Sequence, residues 1–186
     1  MTQQLNKRLI TVEEYHKMAE AGILSRRDKL ELIKGEILHM SPIGSRHQAI
    51  VDKMTRLFNR LVMDDAIVRV QGPIQIENWS EPEPDLILLK PQDDFYANHH
   101  PTPKEALLLI EVADSSLNFD KELKLPIYAE AGIEEYWIIN LQDDQIEIHR
   151  SPEEGIYKNI TIAKNNDFVS CLNFLSLSIN VNDILG

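Results

Sequence analysis

The sequence contains a single cysteine, Cys171, in 186 residues. One cysteine excludes an internal disulfide and a cysteine-based zinc cluster. Long apolar runs are also missing, because no stretch approaches the ~20 consecutive apolar residues that cross a bilayer. The sequence has no internal repeat, no low-complexity tract and no linker long enough to divide it. These absences predict a single domain over residues 1–186 and no membrane partner.

Positive charge is scarce, since 19 Lys and Arg residues stand against 30 Asp and Glu residues and give a formal net charge of −11. This excess of negative charge argues against a protein that coats nucleic acid non-specifically, because phosphate neutralisation drives such binding. A nuclease is not excluded, because acidic metal ligands add negative charge that bound cations offset. The N-terminal residues lack the apolar core of a signal peptide, so we expect a cytoplasmic location.

Hydrophobic periodicity predicts two helices and a hairpin in the first third of the chain. Thr11 is the expected N-cap of a short helix to about Ala21, and strand-like runs around Lys34-Gly35 predict a hairpin. The clearest helix covers about residues 45–63, where apolar residues recur at i, i+3 and i+4. Its outer face carries a basic strip that is either a solvated surface or a phosphate-contacting one: Arg46, Lys53, Arg56 and Arg60.

The rest of the chain predicts a sheet with one long helix. Residues 66–71 and 73–77 are expected to form two short strands, or one strand broken at Gly72-Pro73. The other expected strands cover 85–89, 106–113, 134–140, 145–150, 156–163 and a weak edge strand over 169–181; the expected helix covers 120–131. Pro126 lies within that helix, so either the helix bends or its regular part begins near Pro126 with Lys124 on the lead-in. The strand–helix–strand step from 106–113 to 134–140 predicts a parallel pair with a right-handed crossover. Residues 182–186 are expected to form a tail.

The fold class expected from this order is α/β (α+β). It is a mixed β-sheet flanked by helices, with an N-terminal helix and hairpin and with C-terminal added strands.

Two apolar runs each carry one carboxylate at an end. Asp85 opens one run, and Glu111 is the only polar residue of the next. Burying a charge without a partner is costly, so these carboxylates need water at a strand edge, a lysine partner or a bound cation. The pattern leaves these alternatives open. The sharpest hypothesis is that Asp85 and Glu111 converge on a divalent metal beside Lys124, although Lys124 could also pair with Asp120 on the same helix.

These residues belong to a longer set of motifs. The set consists of Pro84-Asp85, Glu111-Val112, Asp120-x3-Lys124-x3-Tyr128-Ala129-x2-Gly132-Ile133-x-Glu135-Tyr136-Trp137-Ile138-Ile139, and the upstream Glu31-Leu32-Ile33-x-Gly35-Glu36 with His47. It resembles the Uma-type putative restriction endonuclease family of the PD-(D/E)XK phosphodiesterase superfamily. The resemblance covers about residues 30–140 and implies a restriction-endonuclease-like core there.

The resemblance also implies roles for individual residues. In the superfamily an aspartate and a second acidic residue hold Mg²⁺, so Asp85 and Glu111 would be ligands of Mg²⁺ (or Mn²⁺). The superfamily lysine usually follows the second acid by two residues, where this chain has Ala113. The resemblance therefore implies that Lys124, on the following helix, supplies the ammonium group. Weaker candidates for extra ligands or water positioning are Glu31, Glu36 and His47.

The function implied by the resemblance is a Mg²⁺-dependent endodeoxyribonuclease with DNA as its substrate. A hard cation held by carboxylates can polarise a phosphate and generate a nucleophile, and a lysine adds positive charge where the transition state gains negative charge. Cutting both DNA strands needs two sites, so we expect a homodimer. The alternative is a non-catalytic protein-interaction module that retains the nuclease fold. The intact set of Asp85, Glu111 and Lys124 favours the enzyme, and the net charge favours the alternative.

Overall fold

The computed structural model describes residues 7–25 and 27–186, and the chain divides into two compact units. The smaller unit contains Met1–Met40 and Gln75–Pro82. The larger unit contains Ser41–Ile74 and Glu83–Gly186. The expectation of one domain over residues 1–186 with a core at about 30–140 stays a prediction.

The smaller unit contains one helix, α1 (Val12–Glu20), which begins at a capping box. The Thr11 hydroxyl accepts a hydrogen bond from the Glu14 N–H, and the Glu14 carboxylate accepts one from the Thr11 N–H. Two of the backbone N–H groups that lack helical partners at the start of a helix are thereby satisfied. The predicted N-cap at Thr11 is confirmed.

The same unit contains the predicted hairpin. Strands β1 (Leu30–Ile33) and β2 (Glu36–His39) pair antiparallel. Lys34 and Gly35 join them with φ of 48° and 78°. Positive φ at both central residues is the requirement of a type I′ turn, whose twist matches that of the flanking strands.

The larger unit is built on a six-stranded sheet with the order β3-β4-β5-β6-β7-β8. The strands are β3 (Ile67–Val70), β4 (Leu86–Leu89), β5 (Ala106–Ala113), β6 (Glu135–Asn140), β7 (Gln145–Glu153) and β8 (Ile156–Lys164). Only β5 and β6 run parallel, and the other neighbours are antiparallel. The mixed sheet and its parallel pair, expected from the strand–helix–strand step, are confirmed.

Helices pack on both faces of this sheet. The apolar stripe of α2 (Ser45–Val62) joins Leu86, Ile110 and Trp137 in one core cluster. Tyr136, the neighbour of Trp137 on β6, points to the opposite face, because side chains alternate along a strand. There its ring packs against the ring of Tyr128, which lies on the helix preceding β6, with the ring centroids 5.0 Å apart. Among the described residues, no helix combines the length and the apolarity that crossing a bilayer requires.

The predicted helix over 120–131 is interrupted in the structure. It consists of α3 (Leu117–Phe119), a π-helical turn (Asp120–Lys124) and α4 (Leu125–Glu130). Pro126 lies in the first turn of α4, where its missing N–H removes no helical hydrogen bond. Of the two alternatives left open by Pro126, Lys124 on the lead-in to the regular helix is the correct one.

The end of the chain differs from its prediction. Instead of an edge strand over 169–181, β9 (Phe168–Cys171) and β10 (Phe174–Asn180) form a separate two-stranded ribbon. The predicted tail is a helix, α5 (Val181–Leu185). The Asn180 side chain accepts a hydrogen bond from the Asn182 N–H and caps this helix, whose Val181 and Ile184 are fully buried.

The strand predicted over 73–77 is also absent from the structure, in which all of these residues are described. Only an isolated bridge joins Ile76 and Ser80. Pro73 has no N–H to donate to a ladder, and Glu77 adopts φ of 52°, which ends an extended segment.

Candidate active site

The pairing register of β4 and β5 brings two carboxylates together. Leu86 pairs with Ile110; Asp85 directly precedes Leu86 and Glu111 directly follows Ile110, so the two acids lie at the same end of this strand pair. Asp85 is 8% exposed and Glu111 is 4% exposed. The two acids that end separate apolar runs in the sequence are therefore buried neighbours in the structure.

Asp85 is held by donors from two elements. Its Oδ2 accepts hydrogen bonds from the Val112 backbone N–H at 2.8 Å and from His47 Nε2 at 3.0 Å. The Gln71 amide lies 3.5 Å from the other carboxylate oxygen. These contacts fix the carboxylate at the end of the strand pair, next to Glu111.

His47 reaches Asp85 from the first turn of α2. Burial alone would lower the pKa of the imidazole, but the hydrogen bond and the negative charge of Asp85 raise it above its ordinary value. The imidazole is therefore biased toward its charged form, in which it donates to Asp85. His47 was predicted as a weaker candidate, and the structure places it in direct contact with Asp85.

Glu111 is held by two donors from the crossover segment between β5 and β6. Lys124 Nζ lies 3.0 Å from Glu111 Oε1, and the Tyr128 hydroxyl lies 3.0 Å from the same oxygen. Lys124 is only 4% exposed. A lysine this deeply buried remains charged only with a partner, which Glu111 provides. Lys124 also lies over the Phe119 ring, 5.7 Å from its centroid.

The π-helical turn before α4 sets the direction of Lys124. The Leu125 N–H donates to the Asp120 carbonyl, one residue further back than in an α-helix. Lys124 and Tyr128 are then separated by one helical turn and lie on the same helix face. Tyr128 belongs to the sequence motif, but the motif alone predicts no role for it. Its signal was the spacing of four residues from Lys124.

Three sequence-predicted residues, Asp85, Glu111 and Lys124, thus meet in the larger unit, together with His47. The other two candidates lie in the smaller unit. Glu31 is buried on β1, where it pairs with Leu38 of the hairpin. Glu36 is exposed on β2 and forms a salt bridge of 2.8 Å with Lys7.

A second lysine–carboxylate pair involves β7, which β6 separates from β5. Lys121 Nζ lies 2.8 Å from Glu147, which also accepts hydrogen bonds from Asn140 and Gln145. Burial alone would raise the pKa of Glu147, but these donors lower it below its ordinary value. His149 beside it is neutral at pH 7, because burial lowers its pKa to about 4. This pair resembles Lys124–Glu111 in chemistry but lacks a second carboxylate opposite it in the register.

The basic strip on α2 lies away from these carboxylates. Arg46 bonds to the Leu141 carbonyl and to Asp144. Lys53, Arg56 and Arg60 line an open cavity of about 550 Å³ with Leu57 and Leu61. At 100° per residue, Lys53 lies about 120° around the helix from His47. The basic strip therefore lies on a different face of α2 from His47, the residue that contacts Asp85.

The donor set at Asp85 and Glu111 fits a hard divalent cation. Two carboxylates on adjacent strands supply the oxygen ligands that Mg²⁺ and Mn²⁺ prefer. Within the described part of the larger unit, no three His, Cys, Asp or Glu side chains bring their ligand atoms within 4.8 Å of one another. Two protein ligands suffice for Mg²⁺, because it usually keeps several waters.

The motifs and the fold both have counterparts among known proteins. The model of the Uma2 family, described as a putative restriction endonuclease, matches residues 12–182. The chain is similar to the crystal structure of a putative nuclease belonging to DUF820 from Anabaena variabilis, at 17% identity and a TM-score of 0.73. The alignment covers 95% of this chain and 97% of that one, and at this identity it shows the fold alone. No curated protein matches the chain. The restriction-endonuclease-like fold expected from the sequence is confirmed.

Proposed function

We propose that this chain, which belongs to the Uma2 family of putative restriction endonucleases, is a metal-dependent endonuclease that hydrolyses phosphodiester bonds in DNA. One observation carries the proposal. Two buried carboxylates, Asp85 and Glu111, lie at the same end of the β4–β5 pair, and Glu111 contacts the buried ammonium group of Lys124. A hydrolase acting on an anionic diester needs oxygen ligands for a cation and a positive charge near the phosphate.

In the proposed mechanism, Asp85 and Glu111 would hold Mg²⁺ (or Mn²⁺). The bound ion would polarise the phosphate, supply an activated water and neutralise developing charge. The Val112 N–H and His47 keep the Asp85 carboxylate oriented. Because these donors are in place before a substrate arrives, little reorganisation is needed during the reaction.

Lys124 acts as an electrostatic stabiliser in this proposal. Its contact with Glu111 favours the ammonium form, so Lys124 is a poor general base. Lys124 Nζ lies 3.0 Å from Oε1 of Glu111, a proposed metal ligand. From this position it can donate a hydrogen bond to a non-bridging phosphate oxygen as negative charge builds there. It thereby replaces the superfamily lysine at the position where this chain has Ala113.

The proposed homodimer has support in the apolar surface of β8. This strand ends the six-stranded sheet. Three of its isoleucines, Ile156, Ile160 and Ile162, are between 52% and 59% exposed. A second copy of the chain would bury them, and clustered exposed apolar residues mark protein interfaces. The same surface supports the alternative function, a non-catalytic interaction module.

Direct metal binding separates the two functions. We expect calorimetric titration with Mn²⁺ to show binding to the parent protein and a dissociation constant at least about 100-fold higher for Asp85→Asn, because loss of even an outer-shell partner costs about 10–100-fold. The matched control is Glu147→Gln, which alters a buried carboxylate paired with a lysine outside the proposed site and should bind like the parent. A parent protein that fails to bind Mn²⁺ would remove the support for a metal-dependent nuclease.

Lys124→Met should lower turnover more than metal affinity. Loss of one preorganised donor to a transition state costs about 10²–10³-fold in kcat, and we expect a loss of about 10²-fold in single-turnover cleavage of plasmid DNA at saturating Mg²⁺. Lys121→Met is the matched control, because Lys121 comes from the same π-helical turn and pairs with Glu147 instead. Unchanged turnover in Lys124→Met would exclude Lys124 from the mechanism.

A further inference from the structure

Tyr128 makes a contact that the sequence did not predict and that has no role in the proposed mechanism. Its hydroxyl lies 3.0 Å from Glu111 Oε1, and the residue is fully buried. We infer that Tyr128 is a positioning residue, which holds the Glu111 carboxylate in the orientation needed to bind the metal ion. This inference rests on the proposed function, because it assigns Glu111 as a metal ligand.

The chemistry of the two donors on Glu111 Oε1 divides their roles. Lys124 carries a positive charge, so a cation bound by Glu111 repels it. The Tyr128 hydroxyl is neutral, so it can keep donating to the carboxylate whether or not a cation is bound. A hydrogen bond from a neutral donor fixes the orientation of a metal ligand without competing for its charge, as partners outside the metal's own ligand shell commonly do. The structure thus gives Tyr128 the positioning task and frees Lys124 to act on the substrate.

The surroundings of Tyr128 fix the hydroxyl in space. The ring packs edge-on against Tyr136, with centroids 5.0 Å apart and an interplanar angle of 67°. Tyr136 in turn contacts the rings of His149 and Tyr157. Aromatic pairs of this geometry are favourable beyond the area they bury. The hydroxyl of Tyr128 is therefore held by a cluster of rings.

Tyr136 provides a matched control for the hydroxyl. It is also a fully buried tyrosine, but its hydroxyl has no hydrogen-bond partner among residues 7–25 and 27–186. Phenylalanine at either position keeps the ring and its packing, and removes only one oxygen. Tyr128→Phe removes a donor to Glu111, whereas Tyr136→Phe removes a buried hydroxyl that makes no hydrogen bond within the described part of the chain.

The test compares Mn²⁺ affinity and cleavage kinetics in the two variants. We expect Tyr128→Phe to raise the Mn²⁺ dissociation constant, and the Mg²⁺ concentration for half-maximal cleavage, about tenfold. At saturating Mg²⁺ its turnover should stay within about threefold of the parent, since Lys124 is retained. Tyr136→Phe should match the parent in both measurements. In a Glu111→Gln background, Tyr128→Phe should cause no further change, because residues that act through one contact are not additive.

The outcomes separate this inference from the proposed function. If the parent binds Mn²⁺ and Tyr128→Phe binds it equally well, the positioning role is wrong and the metal site stands. If both tyrosine variants weaken Mn²⁺ binding equally, the effect comes from ring packing and the role of the hydroxyl is also overturned. If the parent binds no Mn²⁺, the proposed function fails and takes the inference with it. Circular dichroism of each variant verifies that the native fold is retained.

Discussion

Glu111→Gln and Asp85→Asn are each expected to reduce Mg²⁺-dependent DNA cleavage by about 10³-fold, a loss of about 4 kcal/mol of transition-state stabilisation. Each variant keeps the shape of the side chain and one acceptor oxygen, but removes the negative charge that a divalent cation requires. The measurement is initial-rate nicking of supercoiled plasmid at saturating Mg²⁺. Loss of the ion removes both the activated water and the charge that stabilises the phosphate.

The control for this experiment is Glu147→Gln. Glu147 is buried like Glu111 and takes a hydrogen bond from Lys121, as Glu111 does from Lys124. Its neutralisation weakens a part-buried lysine contact, yet it should leave cleavage within about twofold of the parent, because no second carboxylate lies opposite it in the strand register. If Glu111→Gln and Asp85→Asn cut DNA at the rate of Glu147→Gln, the assignment of the two acids as metal ligands is wrong.

The sequence predicted the elements of the site better than their geometry. Periodicity located the helix that carries His47 and the strand that ends near Glu111, because burial on one face leaves a regular pattern. The parallel pairing of β5 and β6 followed from the intervening helix. The contact of Asp85 with the Val112 N–H could not be predicted, because pairing register depends on cross-strand packing that a single sequence does not reveal.

The remaining misses have a common cause in non-local contacts. A π-helical turn has no residue signature of its own, so the direction of Lys124 and the contact of Tyr128 with Glu111 were hidden in an ordinary helical pattern. The sequence predicts a tail where the structure has the short helix α5, because helices of this length depend on packing rather than on propensity. Burial of Val181 and Ile184 against the core supplies that packing.

The motif Glu135-Tyr136-Trp137, which carried much of the family resemblance, has a structural role at its first residue. Glu135 is fully buried, and its Oε1 accepts hydrogen bonds from Trp137 Nε1 at 2.8 Å and from Arg150 Nε at 2.9 Å. Its Oε2 accepts one from the Leu172 backbone N–H at 2.6 Å. One carboxylate thereby connects β6, β7 and the loop between β9 and β10.

Glu135→Ala is accordingly expected to destabilise the protein by about 3–5 kcal/mol, because it leaves the Arg150 guanidinium and two N–H donors without their acceptor. Urea unfolding followed by circular dichroism measures this loss. Glu134→Ala is the matched control, because the adjacent glutamate is exposed, and such surface changes stay within about 0.5 kcal/mol. Equal stability of the two variants would contradict the structural role of Glu135.

At a temperature where Glu135→Ala remains folded, its Mn²⁺ affinity should equal that of the parent, because Glu135 contacts neither Asp85 nor Glu111. A motif shared across a family can therefore combine residues that hold the sheet with residues that serve the proposed chemistry, and stability and metal affinity distinguish them.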